Sequence, residues 1–198
     1  MRIDLHTHIV PDQWEDWASR YGGGQWPRLV PQEGCRASIM TGDKFFRAVD
    51  DRSWSPERRI EDMDRLGIDR QALSPPPVMF CYWSQPRAGQ AFCRMQNEYV
   101  ASVVARHPTR FVGMATVPLQ DPALAIEELR AARERLGLRA VEIGTCPAGR
   151  DFDDPLLFPF FEACRDLGMA VFVHPAVPLA GQERLTQYYF PLIVGNPL

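Results

Sequence analysis

The chain has 198 residues, a formal net charge of −3, 45% apolar residues and 24% charged residues. These proportions suit one globular domain with a sizeable core and lie far from disordered or collagen-like compositions. The slight acidity argues against a nucleic-acid partner, since no basic stripe is available to neutralise phosphates, and no run approaches the ~18 apolar residues of a membrane span.

Taken in chain order, residues 3–5 form the first predicted strand. Residues 20–54 break the later pattern. They are rich in Gly, Trp and Pro and contain an apparent hairpin, 38–40 and 45–46 around Thr41-Gly42-Asp43-Lys44. Ser55-Pro56 then starts a helix, with Ser as N-cap and Pro in the first turn. Ile60, Met63 and Leu66 form its apolar face, and Gly67 stops it. A strand at 70–74 ends in Pro75-Pro76-Pro77. A helix over 88–106 aligns Phe92, Met95, Tyr99 and Val103, and a strand at 111–117 stops at Pro118. Asp121-Pro122 opens a helix whose apolar face is Leu124, Ile126, Leu129, Ala132 and Leu136. A strand at 140–143, a helix at 155–167 and a strand at 170–173 follow, then an amphipathic segment from Glu183 to about Ile193.

Short apolar runs bounded by Pro or Gly suit buried parallel strands. Five of them, each followed by a crossover, predict a parallel α/β sheet, either a barrel or doubly wound. The expected organisation is one unit over 1–198 with an insertion at about 20–54. The five cysteines are odd in number and form no C-x-x-C pair, which points to free thiols in a reducing compartment. No apolar stretch follows Met1-Arg2-Ile3-Asp4, so the expected location is cytoplasmic.

The strongest chemical signal is His6-Thr7-His8 at the end of the first strand. Residues i and i+2 of a strand share a face, about 6.6 Å apart, so two imidazoles there can converge on one ion. A bare H-x-H can also decorate a surface. The carboxyl end of a parallel strand, however, is where α/β folds place their sites. His174 ends the last clear strand. A lone histidine there is commonly a satisfied core or loop residue, yet three of the four histidines end parallel strands and could share one mouth. A three-histidine set with open positions is the geometry of a catalytic metal. Arg47, read on its own, is a surface arginine of the hairpin.

Several segments resemble the amidohydrolase superfamily and, within it, the 2-amino-3-carboxymuconate-6-semialdehyde decarboxylase group. They are Ile3-Asp4-Leu5-His6-Thr7-His8-Ile9-Val10-Pro11, Phe46-Arg47-Ala48-Val49, residues 54–64, Pro77-Val78-Met79-Phe80-Cys81-Tyr82-Trp83, Arg110-Phe111-Val112-Gly113 and Phe172-Val173-His174-Pro175. The resemblance implies a (β/α)8 TIM barrel of the metal-dependent hydrolase type, truncated after about five βα units, with the hairpin inserted after the first strand. It implies one zinc ion held by His6, His8 and His174. It also implies Arg47 on a substrate carboxylate, and non-oxidative loss of CO2 from a carboxylated ring-cleavage product. A guanidinium fork matches a carboxylate in a bidentate way. Ala176 and Leu192 depart from the aromatic residues of the pattern and leave the substrate's identity open.

The family's general-base histidine and its acidic metal ligand fall beyond Leu198, so no catalytic base is assigned within the chain. Three neutral imidazoles would leave the site without negative charge. Five strands would leave a sheet edge open, to be covered by a homodimer or by a second polypeptide, or else the chain does not fold stably. Weak metal binding and little turnover are expected of the 198 residues alone. Two other readings stay open: a metal-dependent hydrolase of lactones or amides, and a non-catalytic truncated fragment.

Overall fold

The computed structural model describes residues 1–176. Five parallel strands form one sheet in the order β1-β5-β6-β7-β8: β1 is Ile3–His8, β5 Arg70–Ser74, β6 Phe111–Ala115, β7 Ala140–Gly144 and β8 Ala170–His174. Neighbours in space are also neighbours along the parallel strand series, as successive right-handed crossovers require. The crossover helices are α2 (Pro56–Leu66), α3 (Pro86–Arg106), α4 (Pro122–Glu134) and α5 (Phe158–Asp166).

Local chemistry sets the helix ends. The Ser55 side chain accepts from the Arg58 N–H at the start of α2, and Gly67 ends it with a left-handed φ of 67°. A side chain there would be strained, which is why glycine ends the helix. Asp121 caps α4 by accepting from Ala123 and Leu124. On β6, a Cβ on Gly113 would lie 2.5 Å from Leu138 Cδ2 and 2.9 Å from Val100 Cγ1, so glycine is what allows α3 to lie close against the sheet.

The main core fills the space between the sheet and its helices, with Leu73, Phe111, Ala115, Val141, Ile143, Leu129 and Phe160 all buried. Within it, Glu128 of α4 is fully buried. It accepts from Arg94 Nη2 at 2.8 Å and from Asn97 Nδ2 at 3.0 Å, and Asn97 in turn pairs with the Thr116 backbone. This polar seam ties α3, α4 and the end of β6 together.

The insertion holds more than the expected hairpin. β3 (Arg36–Thr41) and β4 (Lys44–Asp50) form that hairpin, and β2 (Pro27–Pro31) adds a third antiparallel strand on β3. A short helix, α1 (Trp17–Tyr21), precedes them. A second core of Val10, Trp17, Trp26, Met79 and Phe92 packs this region onto the loop after β5 and onto α3. Other differences are at boundaries. The first strand continues through His8, the third parallel strand stops at Ala115, and the predicted helix at 155–167 is a 3-10 turn, Pro155–Leu157, followed by α5. The predicted segment at 183–193, with Glu183 and Leu192, lies outside the described residues. Among the described residues no helix is long and apolar enough to cross a membrane.

Candidate metal centre

β1 and β8 are opposite edges of the five-stranded sheet. Laid flat, edges four spacings apart would be about 19 Å from each other. The His6 and His174 ring centroids are only 4.7 Å apart, so the sheet curls into a half-barrel whose concave face gathers both edges. His8 closes the group, with its ring centroid 5.1 Å from His6 and 5.2 Å from His174. Between the pairs Asp4↔Gln71 and Thr7↔Leu73, β1 carries one residue more than β5. Such a bulge sharpens local twist and re-aims a side chain, here at His6.

The structure thus brings together the three histidines singled out in the sequence. It adds a fourth group. Glu142 of β7 is fully buried, and its carboxylate joins the three imidazoles so that one ligand atom from each lies within 4.8 Å of the others. Four ligands about 2.1 Å from one ion stand about 3.4 Å apart, a closure within reach of side-chain rotation. The sequence reading has only three imidazoles at this mouth; the structure places a carboxyl group beside them. The signal was present in the sequence as a glutamate enclosed by Val141 and Ile143 in an otherwise apolar strand.

The hydrogen bonds of two imidazoles leave ligand lone pairs free. His174 Nδ1 lies 2.9 Å from the Pro175 carbonyl, which can only accept, so Nδ1 carries the proton and Nε2 is bare. Ser74 donates its hydroxyl to the Thr7 carbonyl and stands 3.2 Å from His8 Nδ1, so its oxygen accepts from Nδ1–H and again leaves Nε2 free. Burial lowers the His8 pKa to about 3, helped by the neighbouring His174 and His6 rings and then by Arg59. Burial also lowers that of His174. Neutral imidazoles are the form that binds a cation. Burial pushes Glu142 the other way, up to about 8, against a downward pull from the Ser74 hydroxyl.

Arg59 of α2 braces the mouth from outside. Its Nη2 donates to the His8 carbonyl at 2.5 Å and to the Arg52 carbonyl at 2.8 Å, linking the end of β1 to the segment that leaves the antiparallel sheet. Arg47 lies on β4, opposite Ile39, with its guanidinium 5.6 Å from the centre of the Phe46 ring. It does not join the histidine cluster. It shares with His8 a cavity of about 90 Å³ walled by Ile39, Phe46, Val49 and Pro76. Among the described residues no carboxylate forms an ion pair with it. Ala176 donates its N–H to Thr145 Oγ1, and its Cβ lies 3.0 Å from where a Cβ on Gly144 would be, so its side chain closes on the strand beside the cluster.

Comparison with known proteins agrees with this architecture. Over 197 residues, all of this chain, it is 42% identical to the 2-amino-3-carboxymuconate-6-semialdehyde decarboxylase of Dictyostelium discoideum. It covers 55% of that relative, so the chain spans about half the length of the curated proteins it matches. The crystal structure of 5-carboxyvanillate decarboxylase from Sphingomonas paucimobilis superposes with a TM-score of 0.64 at 30% identity, over 70% of this chain and 42% of that one. A dihydroxybenzoic acid decarboxylase from Polaromonas, solved with bound manganese and the inhibitor 2-nitroresorcinol, gives 0.66 at 24% identity, over 92% and 52%. The sequence model for amidohydrolases matches residues 3–195, and with nearly the whole chain inside that match the protein belongs to the amidohydrolase family.

Proposed function

We propose that these residues form the metal and substrate-carboxylate side of a non-oxidative decarboxylase site. The single observation that carries this is the convergence of His6, His8 and His174 from the two edges of the sheet, beside a cavity that also holds Arg47. The donor set fits a divalent cation. Nitrogen ligands with a carboxylate suit zinc and also manganese, the metal bound in the Polaromonas decarboxylase. We propose zinc as the ion, with His6, His8 and His174 as its ligands.

A bound divalent ion supplies Lewis acidity at the mouth of the sheet. The chain's own residues do the rest of what is described here. Arg47 binds a carboxylate of a small, planar, carboxylated substrate through its two-pronged guanidinium. Ile39, Phe46, Val49 and Pro76 form apolar walls that exclude water from that contact. The proton on His8 Nδ1 is held by Ser74 and that on His174 Nδ1 by Pro175, which fixes both rings toward the concave face. In the overall reaction the bond to the leaving carboxylate breaks, CO2 departs, and the carbon that keeps the electron pair takes a proton. The substrate proposed is a carboxylated ring-cleavage product of the muconate semialdehyde type, as for the Dictyostelium relative.

The test follows CO2 release with zinc or manganese present, first from the chain itself and then from a chimera extended by the C-terminal part of the Dictyostelium relative. The expected result is metal-dependent CO2 release from the semialdehyde, slow in the chain and fast in the chimera. A chimera that hydrolyses a lactone or an amide and releases no CO2 would overturn the reading.

A further inference from the structure

We propose that Glu142 is the fourth protein ligand of the divalent cation, so that an acidic four-residue site is complete between His6 and His174. The inference rests on the three histidines being ligands and deepens that reading.

Alternation along β7 decides where Glu142 points. Val141 and Ile143, on either side of it, are both buried in the core between sheet and helices. Residues one apart on a strand face opposite ways, so Glu142 faces the concave side, where the imidazoles are. Register agrees: Glu142 lies opposite Phe172 on β8, two pairs before Gly144↔His174 and so on the same face.

Its surroundings then decide what it can do. Glu142 has no solvent exposure, and neither carboxylate oxygen has a hydrogen-bond partner among the described residues. A buried carboxylate without partners is costly and is retained where a cation or a donor completes it. No arginine or lysine among the described residues forms an ion pair with it. The metal-ligating groups beside it are three imidazoles, two of which direct bare Nε2 atoms away from their hydrogen bonds, and the one nearby hydroxyl, Ser74, is hydrogen-bonded to the Thr7 carbonyl. Three neutral nitrogens and one anionic oxygen around a dication leave a net charge of +1, which a substrate carboxylate can neutralise. Without Glu142 the buried charge would be +2. The resemblance places an acidic ligand beyond Leu198. Glu142 supplies one from within the sheet.

The experiment is a Co2+ titration followed by visible absorption, with Zn2+ competition for affinity, on the wild-type chain and on Glu142→Gln, Glu142→Asp and His174→Ala. The wild type is expected to bind one ion. Glu142→Gln keeps the shape and removes the charge. It should weaken binding beyond the roughly 10–100-fold typical of lost outer-shell contacts, and it should change the Co2+ spectrum. Glu142→Asp should recover part of both. Circular dichroism on the metal-free variants establishes that they are folded. If Glu142→Gln binds Co2+ as tightly as wild type with the same spectrum while His174→Ala loses it, the proposal fails and the three-histidine reading stands. If the wild type binds no ion, both fail.

Discussion

Among the described residues two glutamates have no solvent exposure, and they are treated in opposite ways. Glu128, in the seam between α3 and α4, is met by the Arg94 fork and the Asn97 amide. Glu142, on the concave face of the sheet, makes no hydrogen bond of normal length among the described residues, and only the Ser74 hydroxyl is near enough to pull its pKa down. The first is a carboxylate whose charge is answered by the fold. The second is a carboxyl group for which the fold supplies no cationic partner among the described residues, beside three imidazoles. The difference separates a structural buried acid from one positioned for a cation, and it can be tested in several ways.

The largest expected effect is on the ligand cluster itself. His174→Ala removes the only histidine contributed by the far edge of the sheet. Divalent-metal affinity, measured by competition with a chromogenic chelator, should fall by well over the roughly 100-fold that outer-shell losses reach. A fall of less than tenfold would mean that the two edges do not act on one ion.

The two glutamates should then respond differently to the same change. Glu128→Gln removes the charge from a charge-assisted pair and should cost about 1.5–3 kcal/mol of unfolding free energy in urea. Glu142→Gln in metal-free protein at pH 8 should cost nothing or stabilise, because it removes an unanswered buried charge. Equal destabilisation by both would erase the distinction.

Acidity sharpens the point. A carboxyl raised from 4.5 to about 8 on folding binds more protons in the native state, so its contribution to stability is lost as pH climbs between those values. His8, lowered from 6.5 to about 3, works in the opposite sense: its contribution is present above 6.5 and is lost as pH falls below it. From pH 4.5 to 6.5 the two oppose each other. From 6.5 to 8 Glu142 acts alone, and metal-free protein should lose about 2 kcal/mol over those 1.5 units. Saturating zinc or Glu142→Gln should flatten that slope in urea titrations at fixed pH values.

The smallest effect is expected outside the cluster. Arg59→Lys loses the fork that holds the His8 and Arg52 carbonyls and should cost roughly 1 kcal/mol, with metal affinity lowered far less than by His174→Ala.

Much of this was legible in the sequence. Short runs ending at or next to Pro or Gly locate four of the five parallel strands, residues 3–5 complete the series, and strand-end logic singles out His6, His8 and His174. What the chain order could not express was curvature, since one-dimensional spacing gives no account of edges meeting across a concave face. Glu142 leaves no periodic trace, being one charged residue in a five-residue strand, and its sole sequence signal is its place between Val141 and Ile143. β2 was hidden by a proline at each end, tolerable here because it is an edge strand. α1, at five residues, is too short to show a helical period.

The most direct test is anomalous diffraction at the zinc edge from crystals of the zinc-loaded protein. One peak should appear on the concave face, about 2.0–2.2 Å from nitrogens of His6, His8 and His174 and from a carboxylate oxygen of Glu142. A peak that touches the histidines of only one edge, or none of these four residues, would contradict the account.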